Sequence, residues 1–157
     1  MTQDYQNTIV AAGNLIFNST NGKILFVQEK DIKSYGKWNF PMGKREPGEN
    51  LIQCAKREGK EETGFEVEPS YLIGKYTGKY KNKLVQVSIV IGFIFNSEII
   101  GGKLKIPEDI LDARWFSLEE IEELNNKGLL INSYILLTIE DFIRRKKIPL
   151  DSPLLAI

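Results

Sequence analysis

The stretch "NLIQCAKREGKEET", Asn50–Thr63, most constrains what this chain can fold into. Its spacing predicts a helix, and Gly64 directly after it supplies the residue that stops one. Before it, "KSYGKWNFPMGKREPGE" (Lys33–Glu49) is rich in glycine and proline and reads as mostly loop. β-rich runs lie on both sides. Upstream are Ile9–Phe17 and Lys23–Glu29, with hairpin-turn chemistry between them in "NSTNG" (Asn18–Gly22). Downstream are Tyr71–Tyr80 and Leu84–Asn96, which read as a long hairpin through "KNK". Ser97–Asp112 reads as a second loop region and Ala113–Phe116 as a short strand. Ser117 opens a capping box with Glu120, ahead of a helix to about Lys127. Ser133–Lys147 predicts a last amphipathic helix, and the tail from about residue 148 reads as irregular. Strands, a helix, more strands and then helices place the chain in the α/β class, with helices packed on a mixed sheet. A length of 157 residues suits one domain over residues 1–157.

The predicted helix carries a charge pattern that local physics disfavours. Glu58, Glu61 and Glu62 share one helix face. A solvated face normally alternates sign at i, i+4. Here Glu58 faces Glu62 and Lys56 faces Lys60, like-charge pairs that each cost about 0.2–0.5 kcal/mol. Only Arg57 with Glu61 is favourable. Glu61 and Glu62 also lie in the last turn, where the helix dipole disfavours anions by about 0.3–1 kcal/mol. A divalent cation held by the three carboxylates would remove the repulsion, and carboxylates are the ligands magnesium prefers.

Composition narrows the chemistry further. There is no histidine and one cysteine, Cys54. A Ser-His-Asp triad, a Cys-His pair, histidine-ligated zinc and a thiolate zinc site are therefore excluded. Any metal is held by oxygen, which favours magnesium, calcium or manganese. The single cysteine forbids an internal disulfide and points to a reducing, cytoplasmic location. Acidic and basic residues balance at 21 each, so no global field draws nucleic acid or anionic lipid. "MTQDYQNTIV" lacks the basic start and apolar run of a signal peptide, and no apolar stretch is long enough to span a membrane.

From Gly43 the chain reads G-x5-E-x7-R-E-G-x-E-E-x-G-F. This resembles the signature of the Nudix hydrolases, with Gly43, Glu49, Arg57, Glu58, Glu61, Glu62 and Gly64 at the fixed positions and an apolar Phe65 closing. "ARWFSLEEI" and the strand order also resemble the family, so the likeness covers most of the chain. It implies an α/β/α sandwich with a central mixed β-sheet, and hydrolysis of a nucleoside diphosphate linked to another group, using Mg2+ or Mn2+. Glu58, Glu61 and Glu62 would hold the ion, with the Gly43 carbonyl as a further ligand. Arg57 would pair with a neighbouring glutamate, Glu49 or Glu61. Two positions depart from the pattern: Gly59 replaces an aliphatic residue, and Met42 a common glycine. The expected partner is a small-molecule nucleotide, with no nucleic acid and no membrane, and a second copy of the chain left open.

Substrate residues are less sharply marked. Glu108, Asp109 and Asp112 precede Trp115 on a late loop, where the family often places a further ligand or general base; Glu108 and Asp112 are the favoured pair. Tyr35, Trp38, Tyr76, Tyr80 and Phe95 are candidates for stacking on a base, although aromatics in strands are more often core. "RRKK" (Arg144–Lys147) reads as cations complementing a helix end, and Cys54 as a small buried residue. The NADH-type "SQPWPFP" pattern is absent, and Tyr76 and Tyr80 only loosely match diadenosine-polyphosphate hydrolases, so the leaving group is not named. A nucleotide-sensing module that has lost catalysis is the alternative, but such relatives lose the signature carboxylates and this chain keeps them. The isoprenoid diphosphate isomerase relatives need histidine ligands that it lacks.

Overall fold

The helix forms where local chemistry demands it. In a computed structural model, which describes residues 8–81 and 87–155, α1 runs Leu51–Thr63. Asn50 is the N-cap, its side chain accepting from the Gln53 amide while the Gln53 side chain accepts from the Asn50 amide, both at 2.9 Å. Gly64 ends the helix at φ 80°, donating to the Lys60 carbonyl. The buried face runs Leu51, Cys54, Ala55, then Gly59, Glu62 and Thr63. One stripe is therefore apolar at its start and carries a carboxylate at its end.

The strands are β1 (Thr8–Leu15), β2 (Phe17–Asn18), β3 (Lys23–Glu29), β4 (Trp38–Asn39), β5 (Met42–Lys44), β6 (Phe65–Lys81), β7 (Val87–Gly102) and β8 (Ile110–Phe116). They form two four-stranded sheets. The first is mixed, in the order β5-β1-β7-β6, with β1 parallel to β7. The second is antiparallel, with β3 between β2, β4 and β8. Helices α2 (Leu118–Asn126) and α3 (Tyr134–Ile143) follow.

Side-chain alternation on β6 and β7 sets the layers. Leu72, Phe93 and Phe95 pack with Leu51, Cys54 and Ala55 of α1. Ile73 and Ile94 face the other way, packing with Ile121 of α2, Ile135 and Ile139 of α3, and Phe26 and Phe40. One helix on one side and two on the other make the α/β/α sandwich.

Several element bounds differ from the sequence expectation. β6 begins at Phe65, not Tyr71, and β7 runs through "NSEIIGG" to Gly102 where loop was expected. The breakers Pro69 and Gly74 sit at register shifts, where no ladder bond is required. The loop before β8 is accordingly only 103–109. Ile9–Phe17 is interrupted at Ile16, and the Gly/Pro-rich segment contains β4 and β5. α3 stops at Ile143, short of Lys147, where Arg145 turns to φ 59°. Arg144 and Lys146 pair back onto Glu140 and Asp141. The tail, expected to be irregular, is docked and partly ordered: Ile148 and Leu72 exchange backbone hydrogen bonds at 2.9 Å, and Pro153–Leu155 form a 3-10 turn. Residues 82–86, which span part of the expected turn and the start of the expected strand Leu84–Asn96, lie outside the described residues, as does the side chain of Tyr80.

Candidate active site

Asn14 fixes how α1 meets β5. Its buried amide donates to the Pro41 carbonyl at 3.1 Å and to the Ala55 carbonyl at 2.8 Å, and its oxygen accepts from Ser97 at 2.7 Å. This joins α1 to the strand bearing Met42 and Gly43. Gly43 then lies directly against the Glu58 carboxylate, in space a Cβ would fill. Its carbonyl takes the Cys54 thiol at 3.5 Å. Gly59 is accounted for in the same way. A Cβ there would sit 2.6 Å from Val67 Cγ2 and 3.2 Å from Asn14 Nδ2, so an aliphatic residue does not fit.

Arg57 organises the glutamates. It grips Glu49 with two bonds, Nε to Oε2 at 3.0 Å and Nη2 to Oε1 at 2.7 Å. Nη1 donates to Glu58 at 2.7 Å and to Glu61 at 3.2 Å, and Nη2 also reaches the Lys44 carbonyl at 2.9 Å. Arg57 thus pairs with both expected partners and with Glu58. Its hydrogen bonds hold the Glu49 carboxyl down to about 2. Glu49 clamps Arg57 and caps no helix. The Lys56–Lys60 repulsion is also relieved, since Lys56 pairs with Glu68 at 2.9 Å and Lys60 with Glu66 at 3.5 Å, both on β6.

Glu62 has no such relief. It is 9% exposed, and its Oε2 is buried without a hydrogen-bond partner. Burial pushes its carboxyl well above the usual range, and the charges of Glu29, Glu58 and Asp109 push it further. Burial likewise raises Glu58, against the pull of Arg57. Among the described residues no three acid or thiol side chains converge tightly enough to enclose an ion as they stand. Arg57 holds Glu58 and Glu61 on its own nitrogens. The donor set nevertheless fits a hard divalent cation: carboxylates crowded around an orphaned carboxylate oxygen, beside a glycine cradle.

Glu29 was not singled out by sequence. It ends β3 at a register shift, where Gln28 faces Asp112 but Glu29 faces Ile110. That bulge brings Glu29 beside the segment carrying Asp109. Burial raises the Glu29 carboxyl, while the Asn39 amide, donating at 3.3 Å, opposes the rise. Asn39 in turn accepts from the Tyr134 hydroxyl, which also contacts the Met42 sulfur at 2.9 Å. The only sequence signal was a charge at the end of an apolar run.

The late-loop acids lie in different surroundings. Asp109 is the one whose charge reaches Glu29 and Glu62. Asp112 is tied to Arg114 at 2.6 Å, and the Glu108 backbone carbonyl holds Lys30 at 2.8 Å. Among the aromatics, Trp38 and Phe95 are buried in the core, while Tyr35 is 63% exposed. Tyr76 lines a shallow cleft of about 40 Å³ with Met42, Gly92, Asn132 and Tyr134. Its hydroxyl donates to Asp141 at 2.7 Å. Cys54 is fully buried, and burial lifts its thiol to about 12, so it is no nucleophile.

A NUDIX domain model matches residues 7–135. The chain belongs to the Nudix family. The ADP-ribose pyrophosphatase of Methanocaldococcus jannaschii is 31% identical over 120 residues, covering 76% of this chain and 68% of that protein. The mRNA-decapping enzyme subunit 2 of Saccharomyces cerevisiae is 32% identical over 134 residues; the match covers 82% of this chain but only 13% of the yeast protein. A solved Nudix hydrolase from Nitrosomonas europaea superposes with a TM-score of 0.77 at 28% identity, covering 92% of this chain and 95% of that one. The signature segment Gly43–Phe65 runs from β5 through the loop 45–50 and α1 to the first residue of β6.

Proposed function

We propose that this chain hydrolyses a phosphoanhydride bond in a nucleoside diphosphate derivative with the help of Mg2+ or Mn2+. The observation that carries this reading is the buried, unpartnered Glu62 Oε2 among the carboxylates of Glu29, Glu58 and Asp109. A self-repelling buried cluster is costly unless a cation completes it. Glu58, Glu61, Glu62 and the Gly43 carbonyl are the residues that would hold the ion. When bound, such an ion neutralises pyrophosphate charge and acidifies coordinated water.

The chain's own groups do the rest. Arg57, clamped by Glu49, orients Glu58 and Glu61. Asp109, whose charge reaches Glu29 and Glu62, is the acid that would accept a proton from the attacking water, while the Asp112 carboxylate is held by Arg114. Tyr76, Tyr134, Met42 and Asn132 offer an apolar and amide edge to the nucleoside. Their cleft is too small to enclose a base, so contact is with one edge of it. The retained carboxylates argue against a module that only senses nucleotides.

The test is a hydrolysis screen with Mg2+ over nucleoside triphosphates, dinucleoside polyphosphates and nucleotide sugars. ADP-ribose and capped RNA join the panel because the similar archaeal and yeast proteins carry those names. Turnover of at least one substrate, lost in EDTA, is the expected result. No turnover of any would refute the reading.

A further inference from the structure

Beside the carboxylates lies a second cavity, of about 550 Å³, lined by Lys60, Glu61, Gly64, Lys103, Lys105 and Pro107 among others. Its walls are built closely. Gly64 (φ 80°) and Gly102 (φ 73°) lie backbone against backbone, so a Cβ on Gly64 would strike the Lys103 carbonyl and one on Gly102 the Gly64 carbonyl. The Lys105 amide donates to the Thr63 carbonyl at 2.8 Å. The segment bearing Lys103 and Lys105 is thereby pinned to the end of α1.

The charges in the cavity do not cancel. Glu61 is countered by Arg57 at 3.2 Å, and Lys60 by Glu66 at 3.5 Å. Lys103 and Lys105 have no ion-pair partner among the described residues. Two unpaired cations thus face a space of ligand size, next to an acid cluster whose neighbour Glu61 forms the shared wall.

We propose that this groove binds the phosphate chain of a polyanionic substrate beyond the bond that is cut. The inference rests on the phosphoanhydride-hydrolase reading above. It assigns the preferred substrate class: molecules carrying at least one phosphate more than the scissile pair, whether in a small nucleotide or at the 5′ end of an oligonucleotide. Lys103 and Lys105 supply the charge, and the glycine pair holds them in place.

Two measurements test it. In the first, inorganic tripolyphosphate is titrated calorimetrically into the protein without divalent ions. The Lys103→Gln/Lys105→Gln double variant should weaken binding tenfold or more. Lys127→Glu, an exposed lysine at the end of α2, should change it less than twofold. No binding to wild type, or an equal loss in both variants, would overturn the proposal. In the second, KM is compared for a nucleotide sugar, a dinucleoside tetraphosphate and a 5′-triphosphorylated oligonucleotide. The double variant should raise KM about tenfold for the longer phosphate chains, with kcat changed less than twofold, and the more affected of the two shows which source the groove serves. An equal rise for all three substrates would overturn it. A chain that hydrolyses nothing would sink the activity reading, while the calorimetric result would still decide the groove.

Discussion

At the residue scale, Glu62 sets the problem that the rest of the site answers. A carboxylate oxygen buried without a partner costs about 1–3 kcal/mol. Glu62→Gln removes the cost of ionising this buried carboxyl and should raise the melting temperature of metal-free protein at neutral pH by a few degrees. The same variant should lose the rise that Mg2+ or Mn2+ gives wild type by binding the native state alone. A scanning-fluorimetry comparison with and without divalent ion reads both effects. Gly59 is a second case in which context reverses a local rule. Gly→Ala inside a helix ordinarily gains about 1 kcal/mol. Here Val67 and Asn14 fill the space, so Gly59→Ala should destabilise by about 1–3 kcal/mol in denaturant unfolding. Cys54, with its thiol lifted to about 12 by burial, should resist a disulfide reagent at pH 8 until the protein unfolds.

At the element scale, the clamp between Arg57 and Glu49 ties the loop after β5 to α1. Its pH dependence has a definite sign. The Glu49 carboxyl is held from 4.5 down to about 2 in the fold. Its contribution is present above the unfolded value and fades as pH falls from about 4.5 towards 2. Arg57→Ala should therefore remove stability near neutral pH and shrink its difference from wild type as the solution is acidified across that window. Urea unfolding at several pH values measures this. α1 was legible in sequence because its signals are local: the Asn50 cap, the Gly64 stop and the glutamate spacing. β6 and β7 were legible only in part, since their pairing is set by partners far along the chain. Pro69 and the "GG" at 101–102 look like breakers until the bulges and the paired strand are seen. Glu29, Asn39 and Tyr134 were not legible as a group, because they meet only when β3, β4 and α3 pack.

At the scale of the whole molecule, two sheets and three helices serve to bring one face of α1 against the ends of β3 and β5 and the loop before β8. That juxtaposition crowds acids whose charges raise one another's carboxyls. The same packing lays the lysine groove along the far side of Glu61. The central claim is that the cluster exists to hold a cation for hydrolysis. Its most direct test is the steady-state hydrolysis of the best substrate from the screen, measured for wild type and Glu62→Gln across a Mg2+ titration. Wild-type turnover should saturate with Mg2+ and vanish in EDTA, and Glu62→Gln should lose about three orders of magnitude in kcat while remaining folded. Turnover indifferent to EDTA, or a Glu62→Gln kcat within fivefold of wild type, would contradict the account.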